Sequence, residues 1–313
     1  MSFSELTAAR KLSYIEEVKE RGSFFRQVQL WPLADTFDFE GWLGNFEGVD
    51  EKYIAAKMIS SFMYFPSKMI DRMLYDVIGR EASRIAFSEK NGKSDFYKTE
   101  ICYSYFPGED GGAVDSGQLF LRKIRDKLHV PAKNVIDWGE LLNKCKSSTP
   151  YRNIIFCDDV IGSGNQCINS LQKRRAELDT SLYEFAKTYH FSISIVPIVA
   201  NALGVENVTH SLPGIHVNPL HTLGPEYDLF NSRGLCWNGD MDLYKSAMEL
   251  IRSKSEKLGI RDDGDVVSMR GYENQGWSLA FDHGIPDAVP AIFFYSEKGW
   301  TPLMWRTYER RGD

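Results

Sequence analysis

The chain has 313 residues, which is enough for one large domain or two ordinary ones. Hydrophobic residues make up 43% and charged residues 26%, and both fractions argue against a disordered chain or a coiled coil. A formal net charge of -6 argues against a generally basic surface that would hold nucleic acid by neutralising its phosphates. Any contact with nucleic acid is therefore expected to be local or made by a partner.

The five cysteines are widely spaced and include no Cys-x-x-Cys pair, so the sequence supports neither a disulfide framework nor a zinc site. The N-terminal segment contains acidic residues and lacks the apolar run of a signal peptide. No stretch approaches the roughly 20 apolar residues of a membrane helix. These observations predict a cytoplasmic protein with no membrane partner.

The first part of the chain is predicted to be helical. Apolar residues recur at helical spacing between Ser4 and Lys19, with Ser4 as a plausible N-cap. A second helical block starts near Asp50, whose carboxylate would cap it, and Pro66 suits the first turn of a third helix. We interpret residues 1–90 as a helical N-terminal extension.

Strands and helices then alternate. The predicted elements are a strand at 97–106, a helix at 118–128, a strand at 153–157, a helix at 165–187, and strands at 191–200 and 214–219. Near-continuous apolar strands separated by helices are typical of a parallel sheet covered on both faces. The predicted fold class is α/β, with a mainly parallel sheet and helices on both faces over residues 91–225.

The C-terminal part is predicted to complete the same body over residues 226–313. It contains a helix at 241–258 and a strand pair at 277–281 and 291–295. Its tryptophans would either stack on nucleobases or fill a core or a partner interface, and the sequence favours a core or an interface. They are Trp237, Trp277, Trp300 and Trp305.

The strongest chemical signal is segment 153–166, which reads Asn-Ile-Ile-Phe-Cys-Asp-Asp-Val-Ile-Gly-Ser-Gly-Asn-Gln. An apolar strand delivers Asp158 and Asp159 to its C-terminal edge, where ligands bind in open α/β sheets. The small residues 162–164 let backbone N–H groups approach an anion at the N-terminus of the following helix. A sugar phosphate suits this arrangement as a ligand, because the carboxylates can accept hydrogen bonds from ribose hydroxyls while the adjacent loop binds the phosphate.

These residues resemble the signature of type I phosphoribosyltransferases, in which an apolar strand runs into two acids, two apolar residues and a Thr/Ser-Gly phosphate loop. The resemblance implies that Asp158 and Asp159 bind the ribose hydroxyls and favour positive charge at the anomeric carbon. It also implies that the loop binds the 5′-phosphate; the loop consists of Gly162, Ser163, Gly164, Asn165 and Gln166. Gly162 and Gln166 stand where the metabolic enzymes usually have threonine, which leaves Ser163 as the only hydroxyl of the loop.

A second loop, residues 107–117, lies between a predicted strand and helix, as the pyrophosphate loop does in these transferases. Because pyrophosphate needs donors and cations, Ser116, Gly117 and Arg122 are the candidates to bind it, and a plain solvated loop is the alternative. The resemblance further implies Mg²⁺ held largely by substrate oxygens and water. His283, in a polar turn after a predicted strand, is a candidate for contact with a base or a simple surface histidine.

A narrower resemblance rests on three segments: the Gly-Ser-Gly-Asn-Gln loop, Gly41-Trp42, and the ending Gly-Trp-Thr-Pro-Leu at 299–303. Together they are similar to the phosphoribosyltransferase-like effectors of bacterial conflict systems. This resemblance implies a role in anti-phage defence and protein partners from neighbouring genes. In retron systems it implies a reverse transcriptase with its nucleic acid as partner.

Two other interpretations of Asp158 and Asp159 stay open. Acids are common where a strand meets a helix cap, so the pair has a purely structural explanation. Four apolar residues followed by two acids also describe the Walker B strand of P-loop NTPases, which requires a Walker A loop as well. The only Gly-Lys-Ser lies at 92–94, and Phe87 stands where that motif needs its first glycine.

The motif and its resemblance to phosphoribosyltransferases predict action at ribose C1′ of phosphoribosyl pyrophosphate or a nucleotide, and the narrower resemblance implies an effector in anti-phage defence. Glycosyl transfer and cleavage of a nucleotide glycosidic bond share this chemistry. The alternative is a non-catalytic module that senses a nucleotide or phosphoribosyl pyrophosphate in a defence complex. Turnover distinguishes the two, because a fold alone does not establish activity.

Overall fold

The structure is a computed structural model that describes residues 2–89, 95–107, 116–146 and 152–306. The chain divides into two compact units. The first unit combines the residues up to Ser67 with those from Gly224 onward, and the second spans Lys68–Leu223. The first unit thus joins much of the expected N-terminal extension, 1–90, to the expected C-terminal range, 226–313.

The helices and strands are numbered here in chain order. The first stretch of the first unit contains α1 Ala8–Gln27, α2 Phe39–Gly44, α3 Gly48–Ser61 and β1 Met63–Phe65. The second unit contains α4 Ser67–Ser88, α5 Phe96–Thr99, β2 Ile101–Ser104, α6 Ser116–Lys127, α7 Trp138–Lys146, β3 Asn153–Ile161, α8 Asn165–Gln172, β4 Arg174–Arg175, β5 Thr180–Ser181, α9 Leu182–Tyr189, β6 Ser192–Asn201, α10 Ala202–Ser211, β7 His216–Val217 and β8 His221–Leu223. The first unit resumes with α11 Met241–Leu258 and β9 Leu279–Phe281.

A five-stranded parallel sheet flanked by helices organises the second unit. Its strand order is β2-β3-β6-β7, and β8 pairs with the last residues of β6. This confirms the predicted α/β class with a mainly parallel sheet. The strand β3 lies between β2 and β6, and its residues 153–158 are all buried, as a strand covered on both faces requires.

The strands of this sheet end at different levels. Ser104, the last residue of β2, pairs with Phe156, so β2 stops two residues before Asp158. The strand β6 accompanies β3 to the end, where Ala200 pairs with Ile161. The C-terminal part of β3, which carries both acids, therefore extends beyond β2.

A buried carboxylate ties α4 to the N-terminal ends of β6 and β7. Glu81 accepts hydrogen bonds from Ser194 Oγ at 2.6 Å, Asn218 Nδ2 at 2.9 Å and Arg84 Nη2 at 2.6 Å, and His216 Nδ1 lies 3.1 Å from it. Burial acts to raise the pKa of Glu81, but these hydrogen bonds outweigh it and hold the pKa below its ordinary value. Glu81 is therefore a charged anchor between helix and sheet.

The helix predicted over 165–187 is wrong as a single element. The structure contains α8 and α9 in its place, separated by the short strands β4 and β5. Asp179 adopts the left-handed conformation, with φ 58, which breaks the helix. The hydroxyl of Ser181 then accepts from Glu184 N at 3.1 Å and starts α9.

Two further strand predictions need correction. The strand expected at 97–106 is confined to β2, because a short helix, α5, occupies the residues before it. Residues 291–293, expected in a strand, form a 3-10 turn that follows Pro290. The strand β9 pairs with β1 instead, in parallel.

The helix starts of the first unit also differ from expectation. Thr7, rather than Ser4, caps α1 by accepting from Arg10 N at 3.4 Å. The helix α3 begins at Gly48, so Asp50 lies in its first turn and accepts from Lys11 Nζ at 2.9 Å. Helix α11 has the predicted bounds.

Two of the sequence segments singled out above meet in the first unit. The indole nitrogens of Trp42 and Trp300 both donate to the carbonyl of Ile292, at 2.8 and 3.0 Å. Asn45 and Thr301 exchange two hydrogen bonds, at 2.8 and 3.0 Å. The Gly41-Trp42 and 299–303 segments therefore hold this unit together.

Most of the tryptophans discussed above fill the core, which is one of the two locations that the sequence favoured. Trp237, Trp277 and Trp300 are buried, and Trp305 is 36% exposed. No helix of the described residues is long and apolar enough to cross a membrane.

Candidate functional site

The two acids lie on the part of β3 that passes the end of β2. Asp158 is 7% exposed, and its Oδ1 accepts the backbone N–H of Asp159 at 2.9 Å. Asp159 is half-buried. The strand therefore holds one carboxylate in a fixed, nearly dry position and leaves the next more accessible.

A tight turn connects β3 to α8. Gly164 is the N-cap of α8 and has φ 84, a conformation that favours glycine. A Cβ at this position would lie 2.6 Å from Val208 Cγ2 and 2.8 Å from the carbonyl oxygen of Gly204. Space and backbone conformation both require glycine here. Because Gly164 has no side chain, it does not cap α8 itself, and N–H groups of the first turn after Asn165 can face an anion.

The N-terminal half of α10 packs directly on this turn. A Cβ at Gly204 would lie 1.9 Å from the carbonyl oxygen of Gly162, so the two backbones touch. Asn207 Nδ2 donates to the carbonyl of Ser163 at 3.2 Å. The Ser163 hydroxyl accepts from Asn165 N at 3.4 Å. Helix α10 thus fixes the shape of the turn.

Sequence reasoning did not single out Gly204 or Asn207. A glycine inside a helical segment is a signal of close packing or function, and Gly204 carries it. Only the pairing of β3 with β6 shows which turn it contacts, since α10 follows β6 directly.

The carboxylate of Asp158 lies near the start of α8. Burial raises the pKa of Cys157 and of Cys167 well above the ordinary value, and the charge of Asp158 raises both further. Cys167 is in the first turn of α8. Only residues 159–164 separate the acid from the start of α8, so one short segment carries the carboxylates and the positive end of a helix, an arrangement that suits a ligand with hydroxyl and phosphate groups.

The second predicted loop is described only at its ends. Gln166 Nε2 donates to the carbonyl of Pro107 at 3.2 Å, which links the candidate phosphate turn to the beginning of that loop. At the other end Gly117 is buried, and a Cβ there would lie 2.4 Å from Tyr105 Cβ. Ser116 is the first residue of α6. Residues 108–115 and the side chain of Ser116 lie outside the described residues, as does the Gly-Lys-Ser at 92–94.

Arg122 and His283 are the remaining candidates. Arg122 is largely exposed, 3.6 Å from Asp126, and borders an open cavity of about 480 Å³ together with Tyr105 and Trp138. His283 belongs to the first unit, where its ring stacks on Phe281 with centroids 5.3 Å apart. The structure thus joins residues 158–166 on one strand and the turn after it, and it has Arg122 on the same helix as Gly117.

Comparison with known families gives one match. Residues 39–306 match the family described as PRTase-CE. The chain belongs to the PRTase-CE family. The family is phosphoribosyltransferase-like, and the matched range includes Asp158, Asp159 and the whole turn 162–166 of this PRTase-CE chain. No protein of curated function matches the chain.

Oxygen ligands suited to Mg²⁺ are present in this PRTase-CE chain. Asp158 and Asp159 are consecutive carboxylates on β3, and Mg²⁺ binds through one or two carboxylates together with substrate phosphates. Among the described residues there is no group of three or more His, Cys, Asp or Glu side chains that could hold a metal ion. The donor set fits a magnesium ion shared with a substrate.

Proposed function

We propose that the protein acts at the C1′ carbon of a ribose phosphate, either phosphoribosyl pyrophosphate or a nucleotide, as an effector in anti-phage defence. One observation carries the chemical part of the proposal: β3 carries the nearly buried Asp158 and the half-buried Asp159 near its end, and a tight turn that requires glycine at position 164 connects it to the start of α8. Family membership supports the same chemistry in its general form. The defence role rests on the sequence resemblance.

Each part of the proposed site has a separate task. The turn 162–166 and the N-terminus of α8 would bind the 5′-phosphate through backbone N–H groups. Asp158 and Asp159 would accept hydrogen bonds from the ribose hydroxyls. When the bond at C1′ breaks, the sugar gains positive charge, and fixed carboxylates in a site shielded from water stabilise that charge.

Magnesium would neutralise the negative charge of a pyrophosphate group. We propose that oxygens of the substrate and water would hold most of the ion, and that a carboxylate of the pair would contact it only through an oxygen that the ribose leaves free. Gly117 and Ser116, at the start of α6, would bind the pyrophosphate end, with Arg122 contributing positive charge.

A sensing role is the second candidate, and the turn itself supports it. Ser163 is the only hydroxyl in 162–166, and it already accepts from Asn165 N. A site with a single hydroxyl would still bind a phosphate through its backbone. It has fewer groups that can change their contacts during a reaction, which is compatible with binding without turnover.

The proposed partners are products of neighbouring genes, including a reverse transcriptase with its nucleic acid. In this arrangement a partner restrains the activity until infection disturbs the complex. The net charge of -6 supports a division of labour in which the partner, and not this chain, carries the nucleic acid. Co-purification with neighbouring gene products tests this, and tight, salt-resistant binding of nucleic acid by the isolated chain contradicts it.

The activity is tested with pure protein, alone and with its genomic neighbours, incubated with phosphoribosyl pyrophosphate, Mg²⁺ and a nucleotide pool. Mass spectrometry identifies the products. The variant Asp158→Asn with Asp159→Asn should lose turnover, whereas Glu206→Gln, an exposed acid on α10, should keep it. Binding of phosphoribosyl pyrophosphate without turnover identifies a sensor. If the protein shows no binding and no turnover in every combination, both candidates are refuted.

A further inference from the structure

The first unit contains a cavity to which neither the motif nor the family match assigns a function. Its volume is about 350 Å³, at the small end of the range of ~300–1,000 Å³ for small-molecule sites. The walls come from the end of α3, the start of β1, and the segments before α11 and β9. All lining residues belong to the first unit, so the cavity shares none with the turn 162–166.

Two polar side chains at this cavity have no hydrogen-bond or ion-pair partner among the residues that the structure describes. Ser278 is 5% exposed, and its hydroxyl makes no hydrogen bond to them. Buried hydroxyls without partners are uncommon, because the lost hydration is not replaced. Lys57 makes no ion pair with any described residue, and its ammonium lies 4.2 Å from the centroid of the Tyr14 ring. A hydroxyl and a cation therefore face the cavity, and a ligand would satisfy both.

A positioned carboxyl group lies on the same wall. Asp228 Oδ1 accepts the backbone N–H of Phe230 at 2.8 Å. Gly276, with φ 63, makes room for it, because a Cβ there would lie 2.1 Å from the same oxygen. Burial raises the pKa of Asp228, against the opposing effects of that hydrogen bond and of Arg270. A ligand that donates an N–H bond to the second carboxyl oxygen would offset the loss of hydration.

The other walls limit what fits. Met63 and the exposed Leu235 supply apolar surface for a flat ring. Burial raises the pKa of Cys236 to about 12, so this wall residue stays a neutral thiol. The exposed carboxylate of Glu226 also borders the cavity and would repel a ligand of high negative charge.

We propose that this cavity binds a nucleoside monophosphate whose base carries an exocyclic amino group. The base lies against Met63 and Leu235 and donates from its amino group to Asp228, while Ser278 bonds to a polar edge of the ligand. The phosphate meets Lys57. Repulsion by Glu226 favours the monophosphate over the di- and triphosphate.

Calorimetric titration of the full chain tests this with matched nucleotides. AMP and CMP carry an exocyclic amino group, whereas IMP and UMP carry a carbonyl at the same ring position. Loss of a hydrogen bond to a carboxylate corresponds to about tenfold or more in affinity, so AMP should bind about tenfold better than IMP and CMP better than UMP. AMP should also bind better than adenosine, and inorganic phosphate alone should bind weakly.

Variants separate the contributions. Asp228→Asn keeps an acceptor for Phe230 N and replaces the other oxygen by a donor, so the preference should reverse towards IMP and UMP. Lys57→Met should remove the advantage of AMP over adenosine, whereas Lys52→Met, an exposed lysine on the same helix, should not. Ser278→Ala should weaken binding of every nucleotide without lowering the melting temperature.

Several results would overturn the proposal. The first is absence of binding by folded protein at millimolar nucleotide, and the second is equal affinity for AMP and IMP. The third is unchanged binding in the Lys57→Met and Ser278→Ala variants. These two variants decide the question if Asp228→Asn does not fold. AMP binding should also survive in the variant Asp158→Asn with Asp159→Asn. Loss of AMP binding in that double variant would indicate that the nucleotide binds at the turn 162–166. It would refute the assignment of the nucleotide to this cavity, independently of whether the proposed function holds.

Discussion

Substitution of Gly204 by alanine tests whether the contact between α10 and the turn after β3 sets the geometry of the ligand. The new methyl group would lie 1.9 Å from the carbonyl oxygen of Gly162, and real contacts of this kind are essentially never below 3.0 Å, so the backbones must separate by about 1.1 Å. Overpacking of this kind costs about 1–3 kcal/mol. Removing a helical glycine returns about 0.5–1 kcal/mol.

The effect on the ligand should exceed the effect on the fold. We expect the free energy of unfolding to fall by about 1–2 kcal/mol. A misplacement of about 1 Å reduces the rate by about 100-fold when it moves a substrate-positioning group, and we expect a loss of that order in turnover or, for a sensor, in affinity for phosphoribosyl pyrophosphate.

Urea denaturation and ligand titration measure the two effects on the same preparation. The matched control is Gly79→Ala, which adds a methyl group to an exposed position of α4 where nothing lies within 4 Å. This control should gain about 0.5–1 kcal/mol and keep wild-type binding. If Gly204→Ala binds ligand as well as Gly79→Ala does, the contact with Gly162 does not control the site.

Three further predictions concern single groups. Asp158→Asn with Asp159→Asn should abolish turnover with little change in melting temperature, and an unchanged cellular phenotype at normal protein level would refute the site. Glu81→Gln should lower the free energy of unfolding by about 3 kcal/mol at neutral pH, because it disrupts a buried charged network. Folding lowers the pKa of Glu81, so its charge stabilises the fold above the ordinary pKa of 4.5, and this stabilisation is lost as the pH falls through the lower pKa of the folded state. The difference in free energy of unfolding between wild type and Glu81→Gln, measured by urea denaturation, should therefore narrow in acid. A difference that stays constant with pH contradicts this. Because burial raises the pKa of Cys157 and Cys167, both should resist iodoacetamide in the native chain and react in urea, as counted by mass spectrometry; rapid native labelling of either would refute the burial.

The parallel sheet was predictable because its signal is local. Segments 153–157 and 191–200 are nearly continuous apolar runs, which strands covered on both faces require. The break within 165–187 was not predictable from the periodicity, since Leu171, Leu178 and Leu182 continue at helical spacing across it. The break depends on the backbone of Asp179 and a cap at Ser181, which are weaker signals than the apolar pattern.

The candidate site was predictable only where one segment supplies it. Asp158 and the turn 162–166 follow one another along the chain, so the motif located them together. Gly204 contacts the same turn from the helix after the neighbouring strand, and only the pairing of β3 with β6 places it there. The exchange of hydrogen bonds between Asn45 and Thr301 is more distant still in sequence, and no local pattern encodes it.

The parallel pairing of β1 with β9 determines when the first unit can fold during synthesis. Tyr64, in β1, donates to Asp282, which is 218 residues further along the chain. At about 5–20 residues per second the ribosome needs roughly 10–45 s to make that stretch, so the early helices wait that long for their partners. The second unit is one continuous segment, and all of it is synthesised within this interval. We therefore expect the unit that carries Asp158 to fold first, while the aromatic side chains of the N-terminal helices depend on chaperones until the last part of the chain emerges.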